Sequence, residues 1–369
     1  MKISPARVVL KAILLFLLFD IAVAAIPPGK GCRISIYNHL VPGRERLPFG
    51  ENPDVSYNLS LFDLDAMFAA HEIDSPKPPS EFRVILLGDS SIWGTLLRPE
   101  ETLAARLNAL NLRAPDGRAL RFYNVGYPTI SLTKDLLLLQ EARRYSPDLI
   151  LWFVTLEAFP NDKQYTPPLV SHNAARLRAL SETCALEYDE NDPALVHPDF
   201  WARTFLGRRR AWADWYRLQM YGILWGITGV DQMYPQTYEA AKTDFDADPS
   251  FHDLQPGDSL RDSLAWDALR AGFCLAGDTP MWLINEPILI SDGENSDIRY
   301  DYFYPRWAYD SYRQRLAETS TQNGWVYADF WNLVPMDEFT NSAVHLTPKG
   351  ETLLADAVKD FLFEHIGER

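Results

Sequence analysis

Cysteine is scarce in this chain of 369 residues: Cys32, Cys184 and Cys274 are the whole complement. They lie far apart without metal-ligand or redox spacing, so no zinc site or dithiol motif is indicated, and at most one disulfide can form within the chain. Positive charge is short as well. Fifty acidic residues against 35 basic ones leave a formal net charge of −15, which repels phosphate backbones at long range and argues against nucleic acid as a partner. Nothing repeats at a fixed period, which excludes a solenoid or propeller. No motif calls for a cofactor or a metal. What is abundant is apolar material, 47% hydrophobic and 13% aromatic, enough to bury a large core and to exclude disorder over most of the chain. The length fits one large domain carrying an insertion.

At the N-terminus, Lys2, Arg7 and Lys11 lead into an apolar run from Ala12 to Ile26, interrupted by Asp20. A basic flank, an apolar stretch and the stop at Pro27-Pro28 read as an export segment. Ala22-Val23-Ala24 offers a signal-peptidase site, while the stretch from Val8 to Ile26 approaches the roughly 20 residues that span a bilayer. Cleaved and anchored forms, in either case extracytoplasmic, are both open, with a buried core helix as the alternative. Cys32 lacks the apolar residues that precede a lipoprotein attachment site.

Residues 27–81 are rich in Pro, Gly and Asn, with a short amphipathic piece around Leu61 to His71, and read as a juxtamembrane stalk packed on the domain. Asn58-Leu59-Ser60 matches a glycosylation sequon too short to carry weight. From Phe82 onward, short apolar runs alternate with helical ones. Phe82–Leu87, Leu120–Val125, Leu149–Val154, Met281–Ile284 and Trp325–Ala328 read as strands. Between them, Glu101–Asn111, Leu132–Tyr145, Ser263–Leu275, Trp307–Gln322 and Glu351–Phe363 have helical periodicity. This alternation predicts an α/β fold, a parallel five-stranded sheet covered on both faces. About 120 residues separate the third and fourth strands, far more than a crossover needs, so an insertion spans about 160–260. Its stretch from Arg208-Arg209-Arg210 through Trp212, Trp215, Tyr216, Met220, Tyr221, Leu224 and Trp225 reads as a helix packed on the domain, or as one lying at a membrane interface or over the site.

The first strand runs into Gly88-Asp89-Ser90-Ser91 and then a helix. Ligands of a parallel sheet bind beyond the carboxyl ends of its strands, where this turn puts Ser90. A serine hydroxyl needs a base to become a nucleophile. A capped strand-to-helix turn explains the tripeptide equally well until a histidine is found for it. One lies in Asn341-Ser342-Ala343-Val344-His345-Leu346-Thr347-Pro348, where Pro348 suits a helix start and His345 falls on the loop after the fifth strand. The fourth strand leads into Asn285-Glu286-Pro287, read either as a pocket wall or as a turn stabilised by Asn and Pro.

Together these pieces resemble the SGNH or GDSL hydrolase family over about Phe82 to Phe363, insertion aside. The resemblance implies a flavodoxin-like three-layer sandwich. It implies Ser90 as nucleophile and, through its N–H, an oxyanion donor, Gly126 as a second backbone donor and His345 as the base. Two departures stand out. The third strand ends Val154-Thr155-Leu156-Glu157, without the Asn that supplies a side-chain oxyanion donor, and Asn161 lies several residues on. Three residues before His345 stands Ser342 rather than Asp, so Asn341, Asp329, Asp337 or a backbone carbonyl is left to orient the imidazole. Asp89 and Glu157 join Asn285 and Glu286 as candidate pocket residues. The expected activity is a serine ester hydrolase acting through an acyl-enzyme on an ester-bearing lipid, glycan or small molecule. The alternatives are an extracytoplasmic polysaccharide O-acyltransferase and a non-catalytic carbohydrate-binding relative.

Overall fold

The computed structural model describes residues 4–25, 43–47, 49, 64–210 and 240–367, with residues 212, 213, 216, 217, 220, 224 and 228 between the last two segments. The sequon at Asn58, Cys32, and Trp215, Tyr221 and Trp225 of the aromatic stretch lie outside the described residues.

Five strands, β1 Glu81–Leu87, β2 Ala119–Asn124, β3 Leu149–Val154, β4 Met281–Asn285 and β5 Tyr327–Asp329, form one sheet in the order β2-β1-β3-β4-β5. Every pairing is parallel. The chain moves outward in one direction from β1 to β2, then restarts on the other side at β3. A crevice is therefore left at the carboxyl ends of β1 and β3, the place where an open α/β sheet holds its ligand.

Among the described residues the helices that can be delimited and are longer than one turn are α1 Pro5–Ala25, α2 Leu64–Ala69, α3 Leu103–Ala109, α4 Leu132–Ala142, α5 Ala174–Cys184, α6 Trp266–Ala276, α7 Arg306–Asn323 and α8 Pro348–His365. Alternate strand residues feed two cores. Ile85, Leu87, Ile150, Trp152, Val154 and Leu283 face α4, α6 and α7, while Val84, Leu86, Leu151, Phe153 and Ile284 face α3 and α8. Strands covered on both faces carry continuous apolar runs, and all six residues of β3 are buried. Each such buried side chain contributes roughly 1.5–3 kcal/mol relative to exposure. Helix α6 closes on the sheet at Gly272, where an added Cβ meets Trp152 Cζ3 at 2.2 Å.

Two outlying segments are tied into this body. Leu47, Leu64, Met67, Phe68 and Ile73 lie in the first core, so these parts of the segment before β1 pack into the domain. From the insertion, a Cys184–Cys274 disulfide ties α5 to α6. Leu177, Leu180, Leu195 and Phe251 are buried in the same core.

Candidate active site

Ser90 opens the single helical turn Ser90–Trp93 that follows β1. Asp89 caps it, its Oδ1 accepting the Ser91 N–H at 2.8 Å, which holds the turn as an N-cap carboxylate does. The turn is clasped from behind by the segment before the sheet. Arg46 Nη1 donates to the carbonyls of Gly94 (2.9 Å) and Leu97 (3.1 Å), and Trp93 Nε1 donates to Leu47 O at 2.8 Å. Ser90 itself is partly exposed, and its N–H has no hydrogen-bond partner among the described residues.

His345 arrives from the other end of the chain on a loop closed by pairing of Phe339 with Leu346. The Thr340 N–H donates to the His345 carbonyl at 2.8 Å. Thr347 then caps α8, accepting the Gly350 N–H at 3.1 Å, with Pro348 at the first helical position. This places His345 Nε2 2.9 Å from Ser90 Oγ, across 255 positions of sequence. On the far side of the ring, Nδ1 lies 3.0 Å from Asn341 Oδ1. With the amide so turned, Nδ1–H donates to Asn341 and the Nε2 lone pair faces the Ser90 hydroxyl, the tautomer a general base requires. Burial draws the His345 pKa down to about 4, against a smaller upward pull from Asp89. The imidazole is therefore neutral at neutral pH.

The other expected residues fare differently. Gly126 sits beside the turn, but its N–H donates to Asn124 Oδ1 at 3.0 Å, so the expected free oxyanion donor is engaged elsewhere. Its need for glycine is one of packing, since a Cβ there meets Trp93 N at 2.5 Å. Asn285 does not line a pocket either. It is fully buried, its Nδ2 donating to Asp329 Oδ1 (2.8 Å) and its Oδ1 accepting from Tyr312 OH (3.2 Å). Asp329 is further paired with Arg313 and so does not orient His345. Asn161 Nδ2 donates to the Asp262 carbonyl and does not replace the missing third-strand asparagine.

Glu286 lies beneath the turn, fully buried, where its Oε2 accepts a hydrogen bond from Ser91 Oγ. Burial, with Asp89 nearby, pushes its pKa well above the ordinary carboxylate value. Nearby, Lys134 Nζ donates to the carbonyls of Gly88 (2.8 Å) and Tyr127 (3.0 Å) and pairs with Asp135 at 2.6 Å. Lys134 is a group that sequence reading missed. A lysine in an amphipathic helix ordinarily faces water, and nothing local marks this one as buried.

Glu157 is buried and paired with Lys163, and its Oε2 lies 3.3 Å from His252 Nε2. The Glu157 contact raises the His252 pKa. Both line a cavity of about 690 Å³ whose other walls include Asp244, Asp246, Glu294 and Tyr302. Tyr302 connects this cavity to the histidine loop, its hydroxyl donating to Ser342 Oγ and accepting the Ala343 N–H, both at 3.1 Å. Among the described residues no group of His, Cys, Asp and Glu side chains is arranged to hold a metal ion.

Sheet order, register and this contact define a doubly wound α/β protein with a serine–histidine pair at its switch point. No family model matches the chain, and no curated protein matches it in sequence. Among solved structures it is similar to a lipolytic protein of the G-D-S-L family from Veillonella parvula, with 10% identity, TM-score 0.37, and coverage of 78% of this chain and 99% of that one. It is likewise similar to a carbohydrate acetylesterase family member from Sinorhizobium meliloti (10%, TM-score 0.35, 76% and 99%). A third is the structure of Est24, a carbohydrate acetylesterase from Sinorhizobium meliloti (12%, TM-score 0.36, 76% and 98%). At such values the fold rests on the strand order and register themselves.

Proposed function

We propose that the chain is a serine ester hydrolase of the SGNH/GDSL type, held at the outer face of a membrane by its N-terminal helix, with Ser90 as nucleophile, His345 as base and Asn341 as the residue that orients the base. The single observation carrying this reading is the relay Ser90 Oγ, His345 Nε2, His345 Nδ1, Asn341 Oδ1, with steps of 2.9 and 3.0 Å. The first is within the reach proton transfer needs, and the second is the hydrogen bond that holds the ring.

In the first half-reaction the Ser90 hydroxyl gives its proton to His345 Nε2 while Oγ attacks the ester carbonyl. The developing oxyanion meets the unpartnered Ser90 N–H, and the Gly126 N–H joins it only when the bond to Asn124 opens. Collapse expels the alcohol, which takes the proton back from Nε2, leaving an acyl-Ser90 ester. Water repeats the sequence and releases the acid. A neutral Asn341 orients the ring without adding charge to stabilise imidazolium, so this is a slower machine than one with a carboxylate in that place.

The cavity beside the histidine loop favours a substrate larger than its acyl group, an ester on a glycan or lipid. An acyltransferase shares the first half-reaction and differs only in putting a sugar hydroxyl where water attacks. The disulfide, which forms and persists in oxidising compartments, supports the extracytoplasmic placement. Acid quenching during turnover of p-nitrophenyl acetate tests the reading: Ser90 should carry an acetyl group, and Ser90→Ala should abolish both adduct and turnover. Turnover that persists in Ser90→Ala would overturn it.

A further inference from the structure

Helix α1 has 21 residues and is long and apolar enough to cross a membrane, about 32 Å at 1.5 Å per residue and so a match for a bilayer core of roughly 30 Å. Its apolar side chains are open to the surroundings from Val8 to Phe19. One acidic residue interrupts it, and Asp20 is buried at 5% exposure. A carboxylate within an apolar span is costly unless it finds a donor. Here Asp20 Oδ1 accepts the Leu206 N–H at 3.0 Å, and the neighbouring Phe19 ring packs on Phe205 at 5.5 Å between centroids. The contact thus fixes where residues 200–207 lie along α1. Asp20 is five residues from the end of the helix at Ala25, about 8 Å short of it along the axis. If α1 spans the bilayer, residues 200–207 lie some way below its outer surface, at the depth where interfacial elements bury their apolar side.

The composition of this segment suits that depth. Trp201 is 67% exposed, and Phe200, Leu206 and Trp212 are exposed beside it. The turn is tightly closed, with the Gly207 N–H donating to Thr204 Oγ1 at 3.0 Å. Arg203, Arg209 and Arg210 are exposed on the same stretch, which from 200 to 210 contains no acidic residue in a chain of net charge −15. Arginines at the rim of an apolar, Trp-bearing surface reach lipid phosphates while their stems stay in the apolar layer.

We propose that residues 200–210, with Trp212, form a second membrane contact, embedded in the outer leaflet against α1 with Trp201 and Trp212 among the acyl chains and Arg203, Arg209 and Arg210 at the phosphates. This rests on α1 being a membrane span, as in the function proposed above. The domain is then held in one orientation at the bilayer rather than swinging on a tether, a placement suited to esters that are themselves at or in the envelope surface.

The test uses the full chain in vesicles of phosphatidylcholine and phosphatidylglycerol, with and without acyl-brominated phosphatidylcholine, which quenches tryptophan within the acyl region. Helix α1 contains no tryptophan, so quenching reports other elements. Quenching should occur in the wild type and fall by at least a third in Trp201→Phe/Trp212→Phe, with near-ultraviolet circular dichroism showing that the variant is folded. Equal quenching in both, or none in either, overturns the embedded contact. Alkaline carbonate extraction reports on α1 separately. Retention without a Trp201/Trp212 quenching difference defeats this inference alone, whereas release by carbonate defeats the anchor and this inference with it.

Discussion

In the proposed mechanism Asn341 is the residue on which the chemistry turns. Its Oδ1 fixes the His345 tautomer through one neutral hydrogen bond, and losing such a bond at an otherwise intact site costs about 1–3 kcal/mol. Asn341→Ala should therefore lower kcat/KM roughly 10- to 100-fold. Asn341→Asp should raise kcat/KM at neutral pH several-fold, because a carboxylate stabilises the imidazolium that forms in the transition state. The same pair of variants gives a signature in pH. His345 must be unprotonated to act, and its pKa is drawn down to about 4, so activity should rise with pH through about 4 and be level above pH 6. A carboxylate at 341 favours the protonated ring, so in Asn341→Asp the limb should move to higher pH. A limb unmoved by the substitution in a kcat/KM profile would show that another group titrates. Sequence reading could name Asn341 as a candidate from its nearness to His345, but it could not choose among Asn341, Asp329 and Asp337. What singles out Asn341 is that its Oδ1 is the acceptor found on His345 Nδ1, while Asp329 is taken up by Arg313 and Asn285, both facts of tertiary packing.

At the scale of elements, legibility followed how much of the signal was local. Strand β3 is found at the residues its apolar run marks, because a strand buried on both faces needs no partner to be recognised. At the far edge, β5 spans Tyr327–Asp329 and not Trp325–Ala328, since Trp325 turns aside to stack on Phe273 at 3.8 Å between centroids, a contact with no local sign. Asn285 read as a pocket residue because its position at the end of β4 is local, whereas the tyrosines of α7 that bury it are not. Glycines divide in the same way. Gly126 looked like a place for substrate and is a place for the backbone of Ile92 and Trp93. Gly272 drew no notice and is where α6 meets Trp152. Gly272→Ala should destabilise the fold by about 1–3 kcal/mol, as overpacking does, measurable as a lower denaturation midpoint with an unchanged slope. An unaltered midpoint would mean that α6 stands further from the sheet.

For the molecule as a whole, the parts outside the sheet converge on the serine turn and on helix α1. The segment before β1 supports the turn through Arg46 and Leu47. The insertion adds the cavity wall and the disulfide, and α1 meets the insertion at Asp20. All of this serves a function only if Ser90 is a nucleophile. The most direct measurement is fluorophosphonate labelling of the full chain, read as adduct mass and peptide position across pH 3 to 9. The account predicts a single adduct on Ser90, with a rate that climbs through about pH 4 and is lost in Ser90→Ala and His345→Ala. A folded protein that takes no label at any pH, or takes it equally well without Ser90, would contradict it.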